Sequence, residues 1–183
     1  MSVLGIEEIT FGAADLPQCK RFFQDWGLTL VAEAPQELVF ESLNGCRVLV
    51  AHSDKPGLPA GVEPDPTLRE VVWGVADEAD MALYRGRLQH MPGFADHGTR
   101  FGCVDPNGLS IQLQITTKRP VELVCAQTNT WNEHHRINQP APAYDRAQPV
   151  EVGHVVFFVK DLQATTDFYT QHLGFVVSDR YPG

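Results

Sequence analysis

The sequence predicts an α+β fold. Paired βαβββ modules join their strands in a curved mixed sheet with the helices outside, and a partial third module follows. Three observations carry this prediction. An apolar strand leading to an aspartate helix cap occurs three times, at Asp15, Asp77 and Asp161. An aromatic residue stands seven positions after each cap, as Phe22, Tyr84 and Phe168. The first two caps are 62 residues apart, a period that marks a duplicated structural unit. One unit cannot cover both faces of its sheet, whereas two together place helices outside and leave a concave face inside.

The elements follow in order. Ile9-Thr10-Phe11 reads as a strand. Asp15 is a good N-cap, and Pro17 is tolerated in a first helical turn. Leu16, Cys19, Phe22, Phe23 and Trp26 recur at helical spacing on one face, and Gly27 is placed to end the helix. Strands are predicted at Leu28 to Glu33, Glu37 to Ser42 and Cys46 to Ala51, the last two joined by an Asn44-Gly45 turn. His52 to Thr67 holds Pro56, Pro59, Pro64 and Pro66 and reads as a connector.

Val71 to Ala76 begins the second unit. Asp77 caps a helix with Met81, Tyr84 and Leu88 on one face, and Met91-Pro92-Gly93 stops it. Three shorter strands complete it. The last, Leu109 to Ile115, follows Asp105-Pro106-Asn107-Gly108 and alternates Ile111, Leu113 and Ile115 against Ser110, Gln112 and Gln114. Residues 1–117 thus form an N-terminal paired-module domain. Residues 118–149 are a polar, proline-bearing linker with a short strand at Val121 to Cys125. Residues 150–183 start a third unit, with strands at Val152 to Val159 and Phe175 to Val177 around a helix.

Composition narrows the function. The 183 residues carry 14 Lys plus Arg against 23 Asp plus Glu, a net charge of -9. Such a chain repels phosphate backbones and anionic lipid, which argues against nucleic acid and membrane partners. No apolar run reaches the ~18 residues of a membrane span. The N-terminus lacks a basic region and a cleavage-like site, so a cytoplasmic protein is expected. Cys19, Cys46, Cys103 and Cys125 form no C-x-x-C pair and read as reduced thiols. No nucleophile elbow, Walker loop or dinucleotide fingerprint is present.

Three in-phase copies of the strand-cap-helix phrase, with His154 seven residues before Asp161 and D-P-N-G before a final strand, resemble the vicinal oxygen chelate superfamily. That superfamily includes glyoxalases, bleomycin resistance proteins and extradiol ring-cleaving dioxygenases. The layout is most similar to a two-domain extradiol dioxygenase. The resemblance implies a metal-free N-terminal pair and a C-terminal pair that holds Fe(II) through two histidines and a glutamate. His154 matches the first of those ligands; the other two have no counterpart here. Four modules of about 62 residues plus a linker would fill roughly 280–310 residues, so the chain is either a fragment or a natural truncation. The implied parent reaction is ring cleavage of a small aromatic diol by a homo-oligomeric enzyme, with no such activity expected from the 183 residues alone.

Glu8 and Glu70 stand seven residues before the first two caps, where His154 stands before the third. With Gln112 they make an alternative oxygen-ligand site for Mn2+ or Mg2+; the fourth equivalent position is the apolar Leu49. That site would suit a glyoxalase-like lyase or isomerase, and without it the residues are a polar cluster lining the half-barrel. A third alternative is a non-enzymatic, bleomycin-resistance-like binder of small molecules, with Trp73, Phe101 and Phe40 in its cavity or, more simply, in the core. His134-His135 beside Glu133 reads as a solvated or domain-contact loop, packed by Trp131, because neighbours in an extended segment point opposite ways. His52, His90, His97 and His172 read as surface histidines.

Overall fold

The computed structural model describes residues 3–122, 129–135, 143 and 145–181. The first unit is β1 (Gly5–Ala13), α1 (Leu16–Trp26), β2 (Thr29–Ala34), β3 (Glu37–Glu41) and β4 (Arg47–His52). The second is β5 (Thr67–Val75), α2 (Glu78–Leu88), β6 (Ala95–Asp96), β7 (Arg100–Val104) and β8 (Ser110–Ile115). Their eight strands form one mixed sheet in the order β2-β3-β4-β1-β5-β8-β7-β6. β1 runs parallel to β4 and β5 parallel to β8, while β1 and β5 join antiparallel. The two units are therefore topological copies meeting at a central antiparallel pair.

The caps work as their residue types require. Asp15 Oδ accepts from the Gln18 backbone N–H at 2.8 Å, and Asp77 Oδ from that of Asp80 at 3.0 Å. Gly27, with φ 107°, adopts the left-handed conformation that ends α1 and lets its N–H reach the last turn. Between the helices and the sheet lies the core. Phe40, Val50, Tyr84, Leu88, Phe101, Ile111 and Leu113 are fully buried there.

Two boundaries differ from expectation. β1 spans nine residues rather than three, and β5 starts at Thr67 inside the predicted connector. The cause is tertiary. Gly12 pairs with Thr67 and Phe11 with Leu68, so the long β1 draws the end of the connector into the sheet. The strand predicted at Val121 to Cys125 extends outside the described residues, as does Cys125.

The third unit forms its helix without its strands. α3 (Leu162–Leu173) is capped by Asp161, whose Oδ1 accepts from the Ala164 N–H at 2.9 Å. Residues 152–159 and 175–177, expected as strands, are in no sheet. A strand needs a neighbour for its N–H and C=O groups, and among the described residues none is paired with these segments. Instead the unit docks on the N-terminal pair. Tyr84 Oη donates to the Leu173 carbonyl at 3.2 Å, Arg87 to that of His172 at 3.4 Å, and Phe175 meets Trp73 edge to face at 5.0 Å.

Candidate functional site

The sheet's two faces are chemically distinct. The helix-bearing face carries Ile9, Phe11, Val48, Val50, Val71 and Ile111. Strand alternation turns Glu8, Thr10, Glu70, Ser110, Gln112 and Gln114 to the opposite, concave face. Register confirms the grouping: Thr10 pairs with Glu70, Glu70 with Ser110, and Val72 with both Glu8 and Gln112. The sequence-derived cluster Glu8, Glu70 and Gln112 thus lies on one face of three adjacent strands.

Each carboxylate there has protein partners. Arg100 grips Glu8 in a two-pronged pair, at 2.9 Å to Oε1 and 3.4 Å to Oε2, and donates to Gln114 Oε1 at 2.6 Å. Glu70 Oε2 accepts from Ser110 Oγ and from Gln112 Nε2, both at 2.8 Å. A guanidinium already neutralises Glu8, and Gln112 donates to Glu70 through its nitrogen. Among the described residues no three of His, Cys, Asp or Glu are grouped to hold a metal ion. Arg100 is the functional-looking residue that sequence reasoning missed. Its only signal was position, on the strand paired with β8 and opposite Gln114.

His154 occupies the third unit's matching position, and its phase is preserved. From residue 154 to 158 the side chains alternate as in a strand, although no ladder forms. Val155 and Phe157 turn inward, Phe157 lying 6.4 Å from Tyr169. His154, Val156 and Phe158 turn outward, and the last two are 90% and 87% exposed. Relative to its own helix, His154 points as Glu8 points relative to α1. It is not brought together with Glu8, Glu70 and Gln112. Instead it borders an apolar cavity on the helix-bearing face, beside α1.

The other candidates separate cleanly. His135 Nε2 lies 3.0 Å from Glu133 Oε2, His134 is exposed, and Trp131 is almost wholly exposed. The Trp131 packing expected for this loop is not seen among the described residues. Phe40 and Phe101 are core, and Trp73 packs on Phe175. His90 and His97 are exposed, while His52 and His172 are half-buried.

The D-P-N-G turn does more than mark a hairpin. Asp105 Oδ1 accepts the N–H groups of Asn107 and Leu109 at 2.8 and 2.9 Å, and Asp105 Oδ2 accepts the Tyr169 phenol at 3.2 Å. Asn107 Nδ2 donates to Thr165 Oγ1 at 3.0 Å, and its Oδ1 accepts the Lys160 N–H at 3.2 Å. Burial, followed by the neighbouring Asp105 carboxylate, pushes the Tyr169 phenol far above its ordinary range.

Residues 151–183 match the family model described as the glyoxalase/bleomycin resistance protein/dioxygenase superfamily. No curated protein sequence matches the chain. Among solved structures, the Mn(II)-bound glyoxalase from Novosphingobium aromaticivorans superposes with a TM-score of 0.66 at 18% identity, over 97% of this chain and 55% of that one. The 2,2',3-trihydroxybiphenyl 1,2-dioxygenase of dibenzofuran-degrading Sphingomonas wittichii gives 0.64 at 19% identity, over 98% and 60%. A catechol 2,3-dioxygenase gives 0.60 at 13% identity, over 94% and 58%. The chain spans about 55–60% of the length of these structures. At such identities the likeness shows the fold.

Proposed function

We propose, starting from a chain that carries the vicinal oxygen chelate fold, that it is the scaffold pair and the opening of the catalytic pair of an extradiol-dioxygenase-like protein. The observation that carries this reading is the outward row His154, Val156 and Phe158. It keeps the phase of Glu8 and Glu70 while α3 is already docked on the scaffold. In the complete protein that row would face a second concavity, with His154 as one iron ligand. The substrate would be a small aromatic diol, and the assembly a homo-oligomer.

The described residues do not by themselves form a metal centre. A facial triad needs three donors on one side of the ion, and among the described residues His154 is not grouped with two others. The N-terminal pair does not supply them, since Glu8 is held by Arg100 and Glu70 by Ser110 and Gln112. Iron would supply the oxygen chemistry when bound; this chain supplies the framework and one imidazole. The same arrangement argues against a glyoxalase-like Mn2+ or Mg2+ site on Glu8, Glu70 and Gln112.

The test uses two forms. The 183-residue chain with Fe(II), ascorbate and a panel of catechols is expected to show no ring cleavage. A longer form that supplies a second histidine and a glutamate is expected to cleave, and His154→Ala in that form to lose both iron and activity. Cleavage by the short chain, or full iron content in the His154→Ala long form, would overturn the reading.

A further inference from the structure

On the opposite side of the sheet from the polar concave face, α1 carries more apolar surface than its packing uses. Leu16 is buried and Phe23 contacts both Phe11 and Phe40. Phe22 and Trp26, on the same helix, are 56% and 59% exposed and meet edge to face at 5.7 Å. Beside them is a cavity of about 590 Å³, floored by Ile9, Phe11, Val48 and Val50. Its volume is within the ~300–1,000 Å³ typical of small-molecule sites.

The cavity has a third wall that is held in place. The segment returning from residue 145 hydrogen-bonds to the β3–β4 turn: the Leu43 and Asn44 N–H groups donate to the carbonyls of Pro149 and Val150, both at 3.0 Å. Asn44 Nδ2 donates to Glu151 Oε2 at 3.2 Å, and Lys118 Nζ lies 3.6 Å from the same oxygen. This wall brings Glu151 and His154 to an otherwise apolar rim. A concave apolar pocket with convergent rings and few polar groups is the usual form of a site for a flat organic molecule.

We propose that this cavity binds a small uncharged aromatic molecule of one or two rings, held by Phe22 and Trp26 with its polar substituent towards His154. The apolar lining and the chain's net charge of -9 disfavour anionic aromatics. The site shares His154 with the metal reading above but lies on the helix-bearing face beside α1, and the binding proposed for the 183-residue chain uses no metal.

The test is a titration of the isotopically labelled 183-residue chain with 2-naphthol in EDTA, followed by amide NMR and by light scattering. Saturable one-to-one binding is expected, with shifts gathered at Cys19, Phe22, Trp26 and residues 152–154. Phe22→Ser and Trp26→Ser alter exposed residues, so amide spectra away from α1 should be unchanged while each variant binds about tenfold more weakly. No saturation, or shifts centred on Glu70 and Gln112, would overturn the proposal. A doubled mass that Trp26→Ser abolishes would do the same, because the rings would then serve self-association. None of these outcomes bears on iron.

Discussion

The phenol of Tyr169 donates to Asp105 Oδ2 at 3.2 Å, tying the third unit's helix to the last hairpin turn of the second. Both groups are buried, and the same carboxylate caps its own turn through Asn107 and Leu109. One aspartate thus serves a local turn and a contact 64 residues away. Tyr169→Phe is expected to destabilise the chain by about 1.5–3 kcal/mol, the usual effect of removing a buried hydrogen bond to a charged group. Urea unfolding followed by circular dichroism measures it.

Alkaline pH should weaken the fold through the same region. Burial, then Asp105, raises the Cys103 thiol from 9.0 to about 11, and the Tyr169 phenol rises from 10.0. Both groups keep their protons when folded and release them earlier when unfolded. The unfolded chain therefore binds fewer protons, and stability falls as pH rises. The decline begins near pH 9 for Cys103 and near pH 10 for Tyr169, at up to about 1.4 kcal/mol per pH unit for each group. Cys103→Ala should flatten the portion between pH 9 and 11 in urea midpoints; an unchanged slope would refute the assignment.

Arg100→Ala removes the guanidinium that grips the buried Glu8 carboxylate. Arg100 is itself part-exposed, so water offsets some of the loss, and about 2–3 kcal/mol of destabilisation is expected. Arg100→Lys keeps charge without the two-pronged grip and should fall between. Thermal unfolding of the two variants provides the comparison.

At Gly74 the central pair leaves no room for a side chain. A Cβ there would stand 2.9 Å from the carboxyl carbon of Glu7, which is fixed by Thr116 Oγ1 at 2.7 Å and the Thr117 N–H at 3.0 Å. Gly74→Ala should destabilise by about 1–3 kcal/mol. Combining it with Glu7→Ala should cost less than the sum of the two single changes, and a double-mutant cycle in urea tests this.

Phe175→Ala should loosen α3. It removes the ring that lies 5.0 Å from Trp73 and 5.5 Å from Tyr169. Faster amide exchange is expected through residues 162–173, while β1 and β5 stay protected.

Much of this arrangement was legible in the residues. All three aspartate caps bond as their spacing suggested, and the repeat reappears as two topological copies. The strands around α3 were misread because period and composition report what a segment can do, while a ladder requires a neighbour. The early start of β5 was missed because prolines mark irregularity and β1's reach is not local information. Glu8, Glu70 and Gln112 were placed on one face, but no short-range pattern linked Glu8 to Arg100, 92 residues away. The cavity beside α1 was hidden for a similar reason. Helical spacing puts Leu16, Cys19, Phe22, Phe23 and Trp26 on one face, but spacing does not tell its covered edge from its open one, which depends on the path of residues 145–154.

The antiparallel joint between β1 and β5 also decides how the paired units come apart. Each unit's longest strand, nine residues in both cases, has the other unit's longest strand as its neighbour. Melting one repeat would strip a flank of hydrogen bonds from the other's longest strand, so the two are expected to unfold together. A duplication joined through its longest strands is built to behave as a single cooperative block rather than two beads on a string.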